Sequence, residues 1–349
     1  MNYNFFNNKK ILLTGHTGFK GSWLACWLSL LGSKVLGISL KPEKHSHFNL
    51  IKNKIKIKNK FFDIRDEKKL KKTIINFKPD IVFHLAAQAI VSNSFNKPKF
   101  TYETNVIGIF NILNSLSFLK KKCSAVIITS DKCYKNKELK RGYHEKDELG
   151  GTDFYSSSKA SAEILFSSFF RSFLYNKNPF LRVATARAGN VVGGGDWSKD
   201  RLIPDCMRMW SKNKVVEIRN PKSTRPWQHV LEALNGYLIL AYNLYKNKKN
   251  NGESFNFSNS QITNYSVKKF IKKISIKFKN AKWRIKKSGK FKESNLLQLN
   301  NNKSKKVLKW KNKMKINETI EFVSEWYYSF YKKQKKVLTF QQIKKFMEL

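Results

Sequence analysis

Tyr155 and Lys159, four positions apart in YSSSK, share one face of a helix if the segment running toward Phe170 is helical. A phenol titrates near pH ~10 and is a poor base at neutrality, but a neighbouring cation favours its phenolate. Such a pair can take a proton from an alcohol. Y-x-x-x-K also arises by chance as a surface pair, so its context matters. Thr129-Ser130-Asp131-Lys132 precedes it, at the end of an apolar run over residues 125–129 that reads as a buried strand. Ligand sites of open α/β sheets form beyond the carboxyl ends of such strands.

A second chemical signal opens the chain. Thr14-Gly15-His16-Thr17-Gly18-Phe19-Lys20-Gly21 follows a short apolar strand at residues 11–13 and precedes Trp23, Leu24, Trp27, Leu28 and Leu31 at helical spacing. A dinucleotide pyrophosphate needs this order of strand, glycine turn and helix: glycine lets the backbone come close, and the helix N-terminus offers free N–H groups and a positive dipole end. The acidic residue that usually anchors the ribose about 20 residues on is missing from Gly37-Ile38-Ser39-Leu40-Lys41. The choice between NAD and NADP is therefore open, with Lys41 or Lys44 available to face a 2′-phosphate. Asp63-Ile64-Arg65 offers a carboxylate suited to an adenine amino group, or an ordinary loop ion pair.

The elements that must position these residues read as a doubly wound α/β fold. Further strands are expected at residues 34–40 and 80–85, and a helix at residues 105–119. Continuous apolar strands alternating with amphipathic helices indicate a Rossmann-type parallel sheet covered on both faces. After Gly189 three glycines run together at 193–195, and prolines appear at 204, 221 and 226. A dinucleotide-binding domain at 1–188 is expected, followed at 189–349 by a smaller C-terminal α/β lobe that mainly binds substrate. That lobe contains a polar loop at 246–252, a basic amphipathic helix at 267–278 and an aromatic-rich helix at 317–331.

With 349 residues, 41% of them hydrophobic and 14% aromatic, the chain can bury a sizeable core. The net charge of +45, from 69 Lys and Arg against 24 Asp and Glu, suggests nucleic acid at first sight. Only ten of those cations are arginine, however, and Lys, Asn, Ile and Phe are heavily used throughout, as an A- and T-rich coding sequence produces. Base readers favour arginine and concentrate charge on one face, so no nucleic-acid partner is expected. Seven of the ten arginines fall between Arg171 and Arg225. Arginine binds phosphate with a planar fork, which makes Arg201 and Arg225 the candidates for a diphosphate, with Asn190 nearby. His229 and Trp227 either meet a base or pack the lobe. Cys26, Cys123, Cys133 and Cys206 have no C-x-x-C spacing, so neither disulfides nor a metal site are expected. No run approaches the roughly 18 apolar residues of a membrane span, and a soluble cytoplasmic protein is expected.

Together TGHTGFKGSW at 14–23, FDIRD at 62–66, VFHLAAQ at 82–88, TSDKCY at 129–134, YSSSK at 155–159, AGNVVGGGDW at 188–197, DRLIPD at 200–205 and RPWQHV at 225–230 resemble the extended short-chain dehydrogenase/reductases. The glycine turn and Y-x-x-x-K mark that whole superfamily. SDK, GGGDW with RLIPD, and RPWQHV resemble its CDP-glucose 4,6-dehydratase branch, over residues 9 to about 260.

The resemblance implies that Gly15, Thr17, Gly18, Phe19 and Gly21 hold the dinucleotide, with Asp63 and Ile64 at adenine and Leu85, Ala86 and Ala87 alongside. Lys159 would bind the nicotinamide ribose and polarise Tyr155, which takes the proton of the sugar 4-hydroxyl beside Ser130. Hydride leaves C4 for NAD; a base removes the C5 hydrogen, an acid protonates the departing 6-hydroxyl, and hydride returns to C6. Lys132 as the base and Asp131 as the acid is one assignment; the reverse, and a purely electrostatic Lys132, stay open. Gln88, Asn190, Arg201, Arg225 and His229 are implied in binding the sugar nucleotide. A homo-oligomer, dimer or tetramer, formed through helices at 105–119 and 156–174 is expected, and a role in deoxysugar or O-antigen synthesis. The rivals are a sugar-nucleotide 4-epimerase, a dehydratase of another nucleoside diphosphate sugar and, remotely, a non-enzymatic nucleic-acid-binding protein.

Overall fold

The computed structural model describes residues 2–218, 220–259, 265–278, 281–286 and 296–349. Eleven strands lie among them: β1 (Lys10–Thr14), β2 (Lys34–Ser39), β3 (Ile57–Phe61), β4 (Ile81–His84), β5 (Cys123–Ile128), β6 (Leu181–Ala188), β7 (Val191–Val192), β8 (Val216–Ile218), β9 (Gln228–His229), β10 (Ser254–Phe257) and β11 (Trp283–Ile285). Seven form one parallel sheet in the order β10-β6-β5-β4-β1-β2-β3. Chain order reverses beside β1, which pairs with β2 on one edge and β4 on the other, so a crevice opens at the carboxyl ends of β1 and β4.

The central strands are mostly apolar on both faces because both faces are covered. Ile11, Leu13, Phe83, Val126 and Ile128 face a core built with Trp23 and Trp27 of α1 (Phe19–Leu30). Leu12, Val82, Ala125 and Ile127 face a second core with Leu70, Ile112 and Phe166, the last from α2 (Phe154–Phe169). Alternation along each strand thus sends neighbours to two dry layers. The helix expected from residue 105 begins as a wider turn at Glu103–Ile107 and continues regularly over Gly108–Ser117. The edge strand β3 was not foreseen: its residues 58–60, Lys-Asn-Lys, are exposed and carry no apolar pattern, which suits an edge that must not recruit another strand.

Residues beyond 188 also build the main sheet. β10 pairs with β6, and α3 (Val230–Lys246) packs Leu231, Leu234 and Leu238 into the same core as α1. A terminal helix, α4 (Thr339–Glu348), returns to α1, where Trp27 stands edge-on to Phe346 at 5.6 Å. Three elements beyond the boundary expected at 188/189, β10, α3 and α4, thus pack with the first 188 residues. The pairs β7–β9 and β8–β11 lie outside the main sheet.

Four imidazoles are buried in these layers: His16, His47, His84 and His229. His47 meets Ser22 Oγ and Thr339 Oγ1, both at 2.7 Å, and His84 meets Thr14 Oγ1 at 2.8 Å. Burial lowers His47, His84 and His229 to about 3 and His16 to about 4. Between those values and the ordinary 6.5 the unfolded chain binds more protons than the native one, so stability is lost as pH falls through that window. Each imidazole contributes at most about 1.4 kcal/mol per pH unit. The urea midpoint is expected to drop steeply between pH 7 and 5; a flat midpoint contradicts the neutral buried imidazoles.

Candidate active site

β5 delivers Thr129 and Ser130 to the crevice, and a short turn at Asp131–Cys133 follows. Ser130 Oγ donates to Asp131 Oδ1 at 3.0 Å and accepts from the Lys132 backbone N–H at 3.2 Å, which fixes the loop. Asp131 is buried against Gly189: a Cβ at that position would lie 2.0 Å from Asp131 Oδ2, so a side chain there would displace the carboxyl group. Asn190, left-handed at φ 51°, brings its Nδ2 to 3.5 Å from the same oxygen.

α2 is started by Asp153, whose carboxylate accepts from Ser156 N–H and Ser156 Oγ at 2.9 and 2.7 Å. One turn of this helix separates Tyr155 from Lys159, and Lys159 Nζ lies 5.9 Å from the Tyr155 ring centroid. A further turn on, the buried Glu163 pairs with Arg187 at 2.7 Å and accepts from Thr129 and Thr185. That charged, hydrogen-bonded cluster ties α2 to β5 and β6 directly behind the loop of Ser130. Burial raises Tyr155 to about 12 against a hydrogen bond with Ser130. Burial, and then the charge of Lys20, lowers Lys159 to about 7. Tyr155 therefore holds its proton at neutrality, and added positive field beside it is what makes it a base.

The glycine turn fits a dinucleotide. Gly15 has φ 73° and its Cβ would meet Ala86 N at 2.7 Å; a Cβ on Gly21 would lie 2.0 Å from Gly15 O. Gly18 begins α1 without a side-chain cap, leaving the first N–H groups for an anion. At the end of β2, Ser39 Oγ is 2.6 Å from Thr17 Oγ1, while Lys41 and Lys44 are exposed.

A cavity of about 450 Å³ joins these parts. Among the residues expected at the cofactor and reacting centre, Phe19, Leu85, Ala87, Ser130, Asp131, Lys132, Tyr155 and Lys159 line it. From the substrate set, Asn190, Arg201 and Arg225 do so. Arg201 donates from one terminal nitrogen to Asp196 at 2.9 Å and from the other to Ala89 O at 3.4 Å, and Arg225 donates to Thr224 O at 2.9 Å.

Other expected residues lie elsewhere. His229 is fully buried, begins α3 and sits edge-on to Trp23 and Phe322, so it packs the core and does not reach the cavity. Trp227 packs on Phe270 with ring centroids 4.6 Å apart, yet also borders the cavity. The Gln88 amide is spent on Thr101 and on the Ile90 N–H, off the cavity wall. Asp63 is held by Arg65, which also bridges to Glu103, and Ile64 is buried against Gly108. Two residues with no expected role also line the cavity, Lys20 inside the glycine turn and Gly189 beside Asp131, and both stand within the motifs at 14–23 and 188–197.

The geometry has counterparts among known proteins. The family model described as GDP-mannose 4,6 dehydratase matches residues 12–323. A CDP-glucose 4,6-dehydratase of Salmonella typhimurium is 40% identical over 329 residues, covering 93% of this chain and 92% of that protein. An epimerase from Methanothermobacter thermautotrophicus superposes with a TM-score of 0.80 at 21% identity, covering 98% of this chain and 96% of that one. A dTDP-glucose 4,6-dehydratase from Bacillus anthracis, solved with NAD, gives 0.74 at 20% identity over 92% and 96% of the two chains. Fold, motif order and sequence identity converge, and this protein belongs to the GDP-mannose 4,6 dehydratase family, within the extended short-chain dehydrogenase/reductases.

Proposed function

We propose that this protein is an NAD-dependent CDP-glucose 4,6-dehydratase, converting CDP-glucose to CDP-4-dehydro-6-deoxyglucose and water. The observation that carries this is one cavity holding two proton-transfer pairs, Tyr155 with Lys159 and Asp131 with Lys132. Oxidation at C4 uses the first pair. Removal of the C5 proton and departure of the 6-hydroxyl use the second. A 4-epimerase needs no group to expel a hydroxyl, which disfavours that rival.

In this scheme Gly15, Gly18 and Gly21 let the N–H groups of α1 meet the pyrophosphate, and Lys159 bonds the nicotinamide ribose. When bound, NAD supplies the hydride acceptor and later the donor of the same turnover. Tyr155 takes the 4-hydroxyl proton, steadied by Ser130. The 4-ketone acidifies C5–H; Lys132, entering the step as the neutral amine, receives that proton, and Asp131, entering it as the carboxylic acid, gives one to the 6-hydroxyl, which leaves as water. Arg225 and Arg201 hold the diphosphate, which replaces the 3.4 Å bond of Arg201 to Ala89 O, supported by their place on the cavity wall. The segment from residue 189 supplies this lobe apart from β10, α3 and α4.

NAD rather than NADP is supported by the NAD carried by the Bacillus anthracis protein. Four buried free cysteines fit a reducing, cytoplasmic setting, and no described helix is long and apolar enough to cross a membrane. Ile107, Phe154 and Ile164 are exposed on the helices expected to join protomers, which supports a homo-oligomer. Deuterium at C4 of CDP-glucose is expected at C6 of the same product molecule, with no net NADH. Label washed into solvent, or NADH accumulating with product, overturns the internal hydride cycle.

A further inference from the structure

The helix that carries Tyr155 and Lys159 holds a third titratable residue at the same spacing, a buried carboxylate that the scheme above leaves unused. Glu163 follows Lys159 by four positions on α2, so the two buried side chains share a face one turn apart. One oxygen of Glu163 accepts from Thr185 Oγ1 at 2.9 Å, Arg187 Nη2 at 2.7 Å and Ser254 Oγ at 3.2 Å. Its other oxygen accepts from Thr129 Oγ1. Pairing with Arg187 thus accounts for one oxygen, while the other holds the residue that precedes Ser130. Arg187 turns away, its second terminal nitrogen donating to Tyr134 Oη at 2.7 Å and Glu145 O at 3.0 Å.

The groups facing Lys159 come from several elements: Lys20 of α1, His84 of β4, Cys133 of the turn after β5, and Tyr155 and Glu163 of α2. Burial keeps His84 and the Cys133 thiol neutral, and Tyr155 holds its proton. Burial opposes ionisation of Glu163, yet Arg187 and the hydroxyls of Thr129 and Thr185 hold its carboxyl below the usual carboxylate range. Among these groups Glu163 is therefore the anion. Burial and then Lys20 draw Lys159 down to about 7, and Glu163 acts in the opposite sense.

We propose that Glu163 is a positioning residue for the first proton transfer, acting on Lys159 through its charge and on Ser130 through its bond to Thr129. This rests on the reading of Tyr155 as the acceptor of the 4-hydroxyl proton. In that step the C4 hydride passes to NAD and the hydroxyl proton to the Tyr155 phenolate, leaving a ketone, NADH and a phenol. The phenolate needs a cation beside it, and Lys159 supplies one only while it keeps its proton. A carboxylate one turn away stabilises that ammonium inside a site where burial and Lys20 oppose it. The Thr129 bond fixes the end of β5 against the same helix, which keeps Ser130 within reach of Tyr155.

The test is NADH formation in a single turnover of CDP-glucose by the full-length protein loaded with NAD, followed against pH. Loss of the Lys159 proton ends activity on the alkaline side. Glu163→Gln is expected to move that alkaline midpoint down by about one pH unit, and Glu163→Asp, which keeps the charge, to hold it within about 0.3. Thr129→Val removes the bond but no charge; it is expected to lower the maximum rate roughly tenfold and leave the midpoint in place. A second readout needs no cofactor: in protein freed of dinucleotide, the pH dependence of Lys159 acylation, read by mass spectrometry, should fall by the same step in Glu163→Gln. If that variant does not fold because Arg187 is left unpaired, Glu163→Gln combined with Arg187→Met carries the same expectation. A merely structural ion pair would lower the rate alike at every pH, and an unmoved or raised midpoint overturns the proposal. Failure of the unsubstituted protein to form NADH from CDP-glucose overturns the reading of the reaction, and this inference with it.

Discussion

Tyr155→Phe is expected to lower turnover of CDP-glucose by about 10²–10⁴-fold, the range that a positioned proton acceptor contributes, while dinucleotide binding stays near that of the unsubstituted protein. The substitution keeps a ring that is only 8% exposed and removes a hydroxyl whose partner is Ser130. The stability lost with one such hydrogen bond is about 1 kcal/mol, too little to unfold the chain. What disappears is the group at the head of α2 proposed to receive the 4-hydroxyl proton. Lys159, proposed to bond the ribose, remains, so Lys159→Ala should differ by weakening binding as well. Steady-state turnover paired with calorimetry of NAD binding checks both. Turnover near the original rate in Tyr155→Phe would remove this residue from the proposed chemistry.

Much of this site could be read without coordinates because its pieces are local. Tyr155 and Lys159 sit one helical turn apart, and Thr129 to Lys132 follow an apolar run, so spacing alone predicts a shared face and a strand end. The glycine turn is equally local, with strand, turn and helix inside residues 10–30. What escaped depends on distant partners. The place of Ser254–Phe257 in the main sheet is decided by pairing with Thr185–Ala188, which no short window contains. His229 occupies a position where packing and binding look alike in sequence; Trp23 and Phe322, from opposite ends of the chain, bury it. Asp63 was legible as a carboxylate near adenine or as a loop ion pair, and Arg65 with Glu103 shows the ion pair formed. Gly189 matters because of Asp131, 58 positions earlier, whose carboxyl group fills the volume a side chain would take.

The same distance argument bears on Lys132, for which the assignment of base and acid turns on one loop. Asp131 is enclosed by Gly189 and Asn190 and bonded to Ser130, whereas Lys132 is half-buried on the cavity wall, with its backbone and not its ammonium tied to the loop. A free side chain on the wall is the better placed of the two to travel to a C5 hydrogen. Lys132→Met should therefore permit oxidation at C4, since Ser130, Tyr155 and Lys159 are untouched, and stop the cycle before elimination. NADH would form to at most one equivalent per site, with release of the 4-keto-6-deoxy product reduced by about 10²-fold or more. Lys132→Glu restores a base and is expected to recover part of the elimination, although its charge also alters the field at Tyr155. Single-turnover absorbance of the NADH band, together with exchange of the C5 hydrogen in heavy water, distinguishes the roles. C5 exchange at the original rate in Lys132→Met would transfer the base to Asp131, and the ammonium would then act on the enolate only through its charge.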